Sequence, residues 1–141
     1  MSDKEWSKRA MISAVGTTGT SAALNGDIID FASNGGYESA LGIAVQSASQ
    51  ADAQLIFQSG TASDSLTDTT GNVLGSKTTL YLDVFKPPHR FGRFVLEPGS
   101  ATIAYETLQT FAYGARKQPT TQPASTTGQS VYSPGTGTAS G

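Results

Sequence analysis

The run from Lys86 to Gly99 constrains this chain more than any other stretch. Pro87 and Pro88 lack a backbone donor, so whatever strand precedes them ends there. Phe91 to Glu97 then alternates large and small or polar residues, and Pro98-Gly99 follows where a type II turn takes proline and then glycine. Residues 102–113 alternate again, so the sequence predicts two β-strands joined by a Pro-Gly turn. Beyond residue 117 it runs into an uncharged Thr/Ser/Pro/Gly stretch, 118–141, whose larger apolar residues are Val131 and Tyr132. Such a stretch lacks the apolar surface to form a core and is expected to be a flexible tail, or an arm ordered by a partner through Val131-Tyr132.

Earlier segments carry the same period of two. Residues 10–15 predict an edge strand, and 24–31 a strand holding Ile28-Ile29 before the turn signal Ser33-Asn34-Gly35-Gly36. Residues 37–46 place Leu41, Ile43 and Val45 on one face, and 52–59 do the same with Ala53, Leu55 and Phe57. The segment between them, 47–51, reads as a hairpin loop, and 60–75 as a polar loop. Leu80, Leu82 and Val84 share a face in 78–85. No segment of helical length shows a 3.6-residue period. Short strands about 8–12 residues apart suit a sandwich or a barrel, and the expected fold is an all-β, jelly-roll-like antiparallel β-sandwich. It would comprise an extended N-terminal arm (1–9), the sandwich (10–117) and the tail (118–141).

Composition narrows the chemistry. The 141 residues include no cysteine and one histidine, so disulfides, thiolate zinc sites and multi-histidine metal sites are ruled out. A net charge of -2 is not the basic footprint that nucleic acid requires. No apolar run approaches the roughly 18 residues of a membrane span. The charged N-terminus has no apolar signal region, so the expectation is a soluble protein made in the cytoplasm. With only 14% charged residues, the surface is dressed mainly by hydroxyls and small side chains. A small core of this kind gains from oligomerisation, and a cyclic homo-oligomer is expected, a trimer ahead of a dimer.

Individual residues are read in the same way. His89, between Pro88 and Arg90, is a solvated turn histidine with no local partner for catalysis. Asp64 and Asp68 are turn formers, since their spacing matches no calcium loop. Lys86, Arg90 and Arg93 flank Phe91 on an exposed strand face that is either an interface or plain surface. Tyr105, Phe111 and Tyr113 share one parity and are expected in the core, with a sugar- or subunit-binding surface as the alternative. Trp6 stands alone in a charged segment and either folds back or anchors in a neighbour. No cofactor, metal or catalytic residue is expected.

Across residues 26–116 the order of these signals resembles the capsid decoration, or cement, proteins of tailed bacteriophages. The resemblance rests on Ile28-Ile29-Asp30, Tyr37-Glu38-Ser39-Ala40 with the apolar Leu41 to Val45, and Leu55 to Gly60 followed by Asp64 and Asp68. It rests most on the aromatic-basic string Arg90 to Leu96 and on an alternating last strand ending near Gly114-Ala115-Arg116. This chain departs from the family where the acidic pair of the 59–68 loop is spread apart, and in its tail. The resemblance implies a non-enzymatic β-sandwich subunit on the outside of a virion capsid, bridging major capsid protein subunits. Trp6, Lys86, His89, Arg90, Phe91, Arg93, Val131 and Tyr132 would form its contacts. The rival readings are a carbohydrate-binding module using Tyr81, Tyr105 or Tyr113, and another head or tail component such as a fibre base.

Overall fold

A computed structural model of the chain describes residues 9–18, 22–32, 36–100 and 103–116. The expectations for Trp6, Val131, Tyr132 and the tail lie outside these residues. Within them the secondary structure is nine β-strands, without a helix. One sheet has the order β1 (Arg9–Thr18), β9 (Tyr105–Tyr113), β4 (Ser39–Gln46), β7 (Thr79–Phe85). The other is built on β8 (Phe91–Glu97), β5 (Gln54–Gly60) and β6 (Thr67–Leu74). Two short strands, β2 (Leu24–Asn25) and β3 (Ile29–Asp30), both pair with β8. All pairings are antiparallel, and the architecture is an all-β sandwich compatible with a jelly-roll-like layout.

The two inner faces are unequal. The β8/β5 sheet contributes Leu55, Phe57, Phe94 and Leu96, each at most 1% exposed. Phe57 and Phe94 pack tilted at 5.0 Å between centroids, and Phe31 meets Phe57 edge-on at 6.3 Å. The facing sheet answers with Ala10, Ala40, Ala44 and Ala112, all fully buried. At Gly42 on the facing sheet a Cβ would stand 2.6 Å from the Phe94 ring; within the ring-bearing sheet itself, Gly92 on β8 makes room for Phe57, whose ring a Cβ there would meet at 2.2 Å. Large rings on one sheet thus fill the depth that small residues leave on the other, as close packing requires.

This asymmetry decides which face of β4 is buried. Leu41, Ile43 and Val45 do not face the core; Ala40, Gly42, Ala44 and Gln46 do. Both parities of β4 are apolar, so alternation alone does not choose a face. The phenyl rings opposite choose it, because they leave room only for small side chains. Similarly, β9 buries Glu106, Leu108, Thr110 and Ala112, and turns Tyr105, Phe111 and Tyr113 outward. The aromatics expected in the core are therefore on the outer face.

Connections differ from expectation as well. Residues 47–51 are not a hairpin loop, because β4 and β5 lie in different sheets. Buried amides hold that crossover: Gln46 Nε2 donates to the carbonyls of Gly75 (3.1 Å) and Lys77 (2.9 Å), and Gln50 Nε2 donates to Gln46 Oε1 (3.1 Å). The Pro98-Gly99 connection also passes between sheets, from β8 to β9. The polar stretch 60–75 contains a strand, β6, which forms a true hairpin with β5. Finally, 24–31 is two short strands rather than one, interrupted at 26–28.

Candidate functional site

Antiparallel pairing of β1 with β9 puts Arg9 beside Tyr113, so residues 1–8 and 117–141 join the sandwich at the same end. That end also collects the loop after β7. Lys86, His89, Arg90 and Arg116 line a basin of about 550 Å³ there, together with Tyr37 and Glu38. Lys86, His89, Arg90 and Arg116 are all exposed. The run singled out in the sequence is divided by β8. Lys86, His89 and Arg90 belong to the basin, whereas Phe91 and Arg93 sit half-buried on the outer face of the second sheet.

Two features shape the basin. Arg90 makes a fork with Asp30, Nε to Oδ1 at 2.8 Å and Nη2 to Oδ2 at 2.9 Å, and lies 4.9 Å from the Phe91 ring centroid. The Arg90 bond, helped by the Ala32 N–H, holds the Asp30 carboxyl below its usual range. The pair is open to water and adds little stability. Its effect is to fix the direction of the guanidinium. Lys86 has φ 52°, a left-handed conformation that is rare outside glycine, and it precedes Pro87. Its N–H is held by the Glu38 carbonyl at 2.9 Å, and its Nζ lies 5.2 Å from the Phe85 ring centroid. Lys86→Gly is expected to raise stability by up to about 1 kcal/mol in thermal unfolding, because glycine takes this conformation without the Cβ penalty. A loss of stability would show that the lysine stem packs usefully on Phe85.

The two outer faces of the sandwich are dressed differently. On the β8/β5/β6 sheet, Arg93 Nε donates to Gln58 Oε1 (2.9 Å) and Gln58 Nε2 to Asp68 Oδ1 (2.9 Å). Gln54 Nε2 donates to Glu97 Oε2 at 3.3 Å. This is a polar ladder. The β1/β9/β4/β7 sheet instead shows an apolar groove of about 430 Å³, lined by Leu41, Ile43, Tyr81 and Tyr113 with Arg9 and Asp83 at its sides. The Tyr113 hydroxyl donates to Asp83, and burial followed by this bond pushes the phenol above its ordinary value. Tyr81 and Phe85 protrude, 69% and 65% exposed. Tyr105 begins β9 at the opposite end of the sheet, away from the groove.

Sequence reasoning favoured the core for Tyr113, kept Tyr81 and Tyr113 as an alternative binding surface, and did not join them to Leu41 and Ile43 as one face. The signal was present: β4 is apolar at both parities, a pattern of sheets covered on both sides. No three His, Asp or Glu side chains among the described residues converge on a metal-sized site. Asp68 is engaged by Gln58, and Asp64 lies in the turn before β6.

No protein-family model matches this sequence, and no curated protein matches it. Among solved structures the fold is similar to the crystal structure of PBSX exported protein XepA, with a TM-score of 0.60 and 14% identity. That similarity covers 94% of this chain and 46% of XepA, so this chain spans less than half of that protein's length. A second similarity is to a structure of Bacillus endospore appendages, a family of disulfide-linked pili. There the TM-score is 0.41 at 14% identity, over 82% of this chain and 97% of the other.

Proposed function

We propose that this chain is a non-catalytic structural protein of a phage particle, which binds the outer surface of the capsid and bridges major capsid protein subunits. The observation that carries the reading is the end of the sandwich where a basin holding the exposed cations Lys86, Arg90 and Arg116, with His89 beside them, meets the attachment points of both terminal segments. Function then resides in surface burial. The basin supplies electrostatic steering and orientation, which govern association rate and register more than affinity. Trp6 and Val131-Tyr132 supply the apolar anchors. The fold shared with PBSX exported protein XepA supports a phage-related structural role. The resemblance of residues 26–116 to decoration proteins supports the capsid surface in particular.

The test is saturable binding to expanded capsid shells, read by co-sedimentation and cryo-EM. Wild-type protein is expected to bind, more weakly as salt rises, because exposed charges are screened. Trp6→Ala should weaken binding more than any substitution in 119–127, and deletion of 118–141 should leave the sandwich folded. Lys86→Gly removes a basin charge without harm to the fold and should also weaken binding. Absence of saturable binding, or salt-insensitive binding unchanged by Lys86→Gly and Trp6→Ala, would overturn the reading.

A further inference from the structure

The groove face of the β1/β9/β4/β7 sheet is self-complementary, in shape and in charge. Cross-strand register arranges it in rows that run from β1 to β7. The first is Arg9, Tyr113, Ser39, Phe85; the second is Met11, Phe111, Leu41, Asp83; the third is Ala14, Gln109, Ile43, Tyr81. A fourth holds Gly16 on β1 and Thr79 on β7. The β7 margin is therefore high, with Tyr81 and Phe85 standing out of the surface, and it carries the acid Asp83. The β1 margin is low at Ala14 and Gly16, both exposed, and carries the cation Arg9.

A two-fold axis parallel to the strands, passing between β9 and β4, lays β1 of one copy over β7 of the other and matches each row with itself. Tyr81 of one copy then sits over the hollow at Ala14 of its mate. Arg9 falls over Phe85, one row from Asp83, a step of about 7 Å that an arginine side chain spans. Leu41 and Phe111 come together at the centre. Each contact occurs twice, as an isologous interface requires. The opposite sheet instead carries a polar ladder, in which Gln58 bonds both Arg93 and Asp68.

We propose that this face is the self-association surface, and that two copies pair through it, sheet on sheet, about a two-fold axis. The inference deepens the structural role proposed above. It replaces the trimer expected from composition by a pair, and the first row of the pairing surface, Arg9 to Phe85, borders the basic end, where Lys86 lies against the Phe85 ring. Burial of Tyr81, Phe85 and Ile43 supplies the apolar contact, and the Arg9–Asp83 contact supplies charge complementarity at both margins.

The experiment uses the full chain and analytical ultracentrifugation. Wild type is expected to sediment as a concentration-dependent dimer. Tyr81→Glu should weaken dimerisation at least about tenfold, whereas Leu74→Glu, at an exposed leucine on β6 of the other sheet, should not. Asp83→Arg alone and Arg9→Asp alone should both be monomeric, and an equimolar mixture of the two should recover dimers, because each mixed pair restores opposite charges at both contacts. An intramolecular role for these charges would give no recovery on mixing. Circular dichroism of each variant confirms the fold, and a misfolded pair is replaced by Ala14→Lys and Tyr81→Asp, the two positions that meet across the pairing surface, in the same mixing test. A wild-type chain that stays monomeric, a trimer indifferent to Tyr81→Glu, or a monomer retained on a glycan column through Tyr81 would each overturn the inference. Particle binding is scored separately: monomers that bind capsid shells sink the pairing alone, and dimers that ignore shells sink the capsid reading alone.

Discussion

Phe94→Ala is expected to lower the unfolding free energy by about 3–5 kcal/mol, the cost of emptying a buried phenyl site. That is a large part of the roughly 5–15 kcal/mol that holds a domain of this size together, so the variant should lose most of its denaturant resistance at 25 °C. Phe94 is fully buried, lies 5.0 Å from Phe57 between centroids, and fills the hollow above Gly42. The hollow gives the test its specificity. In the wild type, Gly42→Ala sets a Cβ 2.6 Å from the ring and should cost about 1–3 kcal/mol by overpacking. In the Phe94→Ala background the same change has space to occupy and should cost less or stabilise. Urea unfolding of the four proteins in a double-mutant cycle measures the coupling. Strict additivity would mean that ring and glycine do not share one space.

The contrast between these residues and β4 shows how far the sequence could be read. Strand existence was legible at 39–46, 54–60, 79–85, 91–97 and 105–113, because alternation and Pro/Gly punctuation are local signals. Which face of a strand is buried is a property of the opposite sheet. At β4 the pattern Ala-Leu-Gly-Ile-Ala-Val offers two apolar faces, and hydrophobicity favours the one with larger side chains. The fold takes the other, because Phe94 and Phe57 already occupy the interior volume. The strand β6 was missed for a related reason: Thr67–Leu74 is polar and glycine-containing, and is specified by its register with β5.

The candidate site was partly legible. Lys86 and Arg90 were expected on an exposed strand face and His89 in a turn; the three line one basin beside β8. Arg116 and Glu38, which complete the basin, come from distant segments brought together by the backbone bond from Arg116 N–H to the Gly36 carbonyl (3.0 Å) and by the pairing of β4 with β9. Phe91 and Arg93 were grouped with them by sequence proximity. Side-chain alternation along β8 turns both to the sheet face instead, where Arg93 joins Gln58.

Glu106 carries the second large prediction. It lies on the inward parity of β9, 1% exposed, in register with Thr17 of β1 and Gln46 of β4, and neither carboxyl oxygen has a hydrogen-bond partner. The Gln46 amide beside it is already committed to the Gly75 and Lys77 carbonyls and to Gln50. Burial therefore pushes the Glu106 pKa up. An unfolded chain ionises this glutamate near pH 4.3 or so, while the folded chain keeps its proton to a higher pH. Between those values the folded state binds more protons than the unfolded one, so stability falls as pH rises and then levels off above the folded-state value. The depressed carboxyl of Asp30 acts in the opposite sense, but only at more acid pH, where its stabilisation is lost as pH falls. Wild-type protein is thus expected to be more stable at pH 5 than at pH 7.5. Glu106→Gln keeps the shape and removes the ionisation, so it should flatten this slope and gain stability at pH 7.5. Glu106→Leu removes the unpaired oxygens too, and should gain about 1–3 kcal/mol at pH 7.5. Chemical unfolding of the three proteins at both pH values measures the slopes. A wild type more stable at pH 7.5, with Glu106→Gln destabilised there, would mean that the carboxylate is charged and paired inside the sandwich.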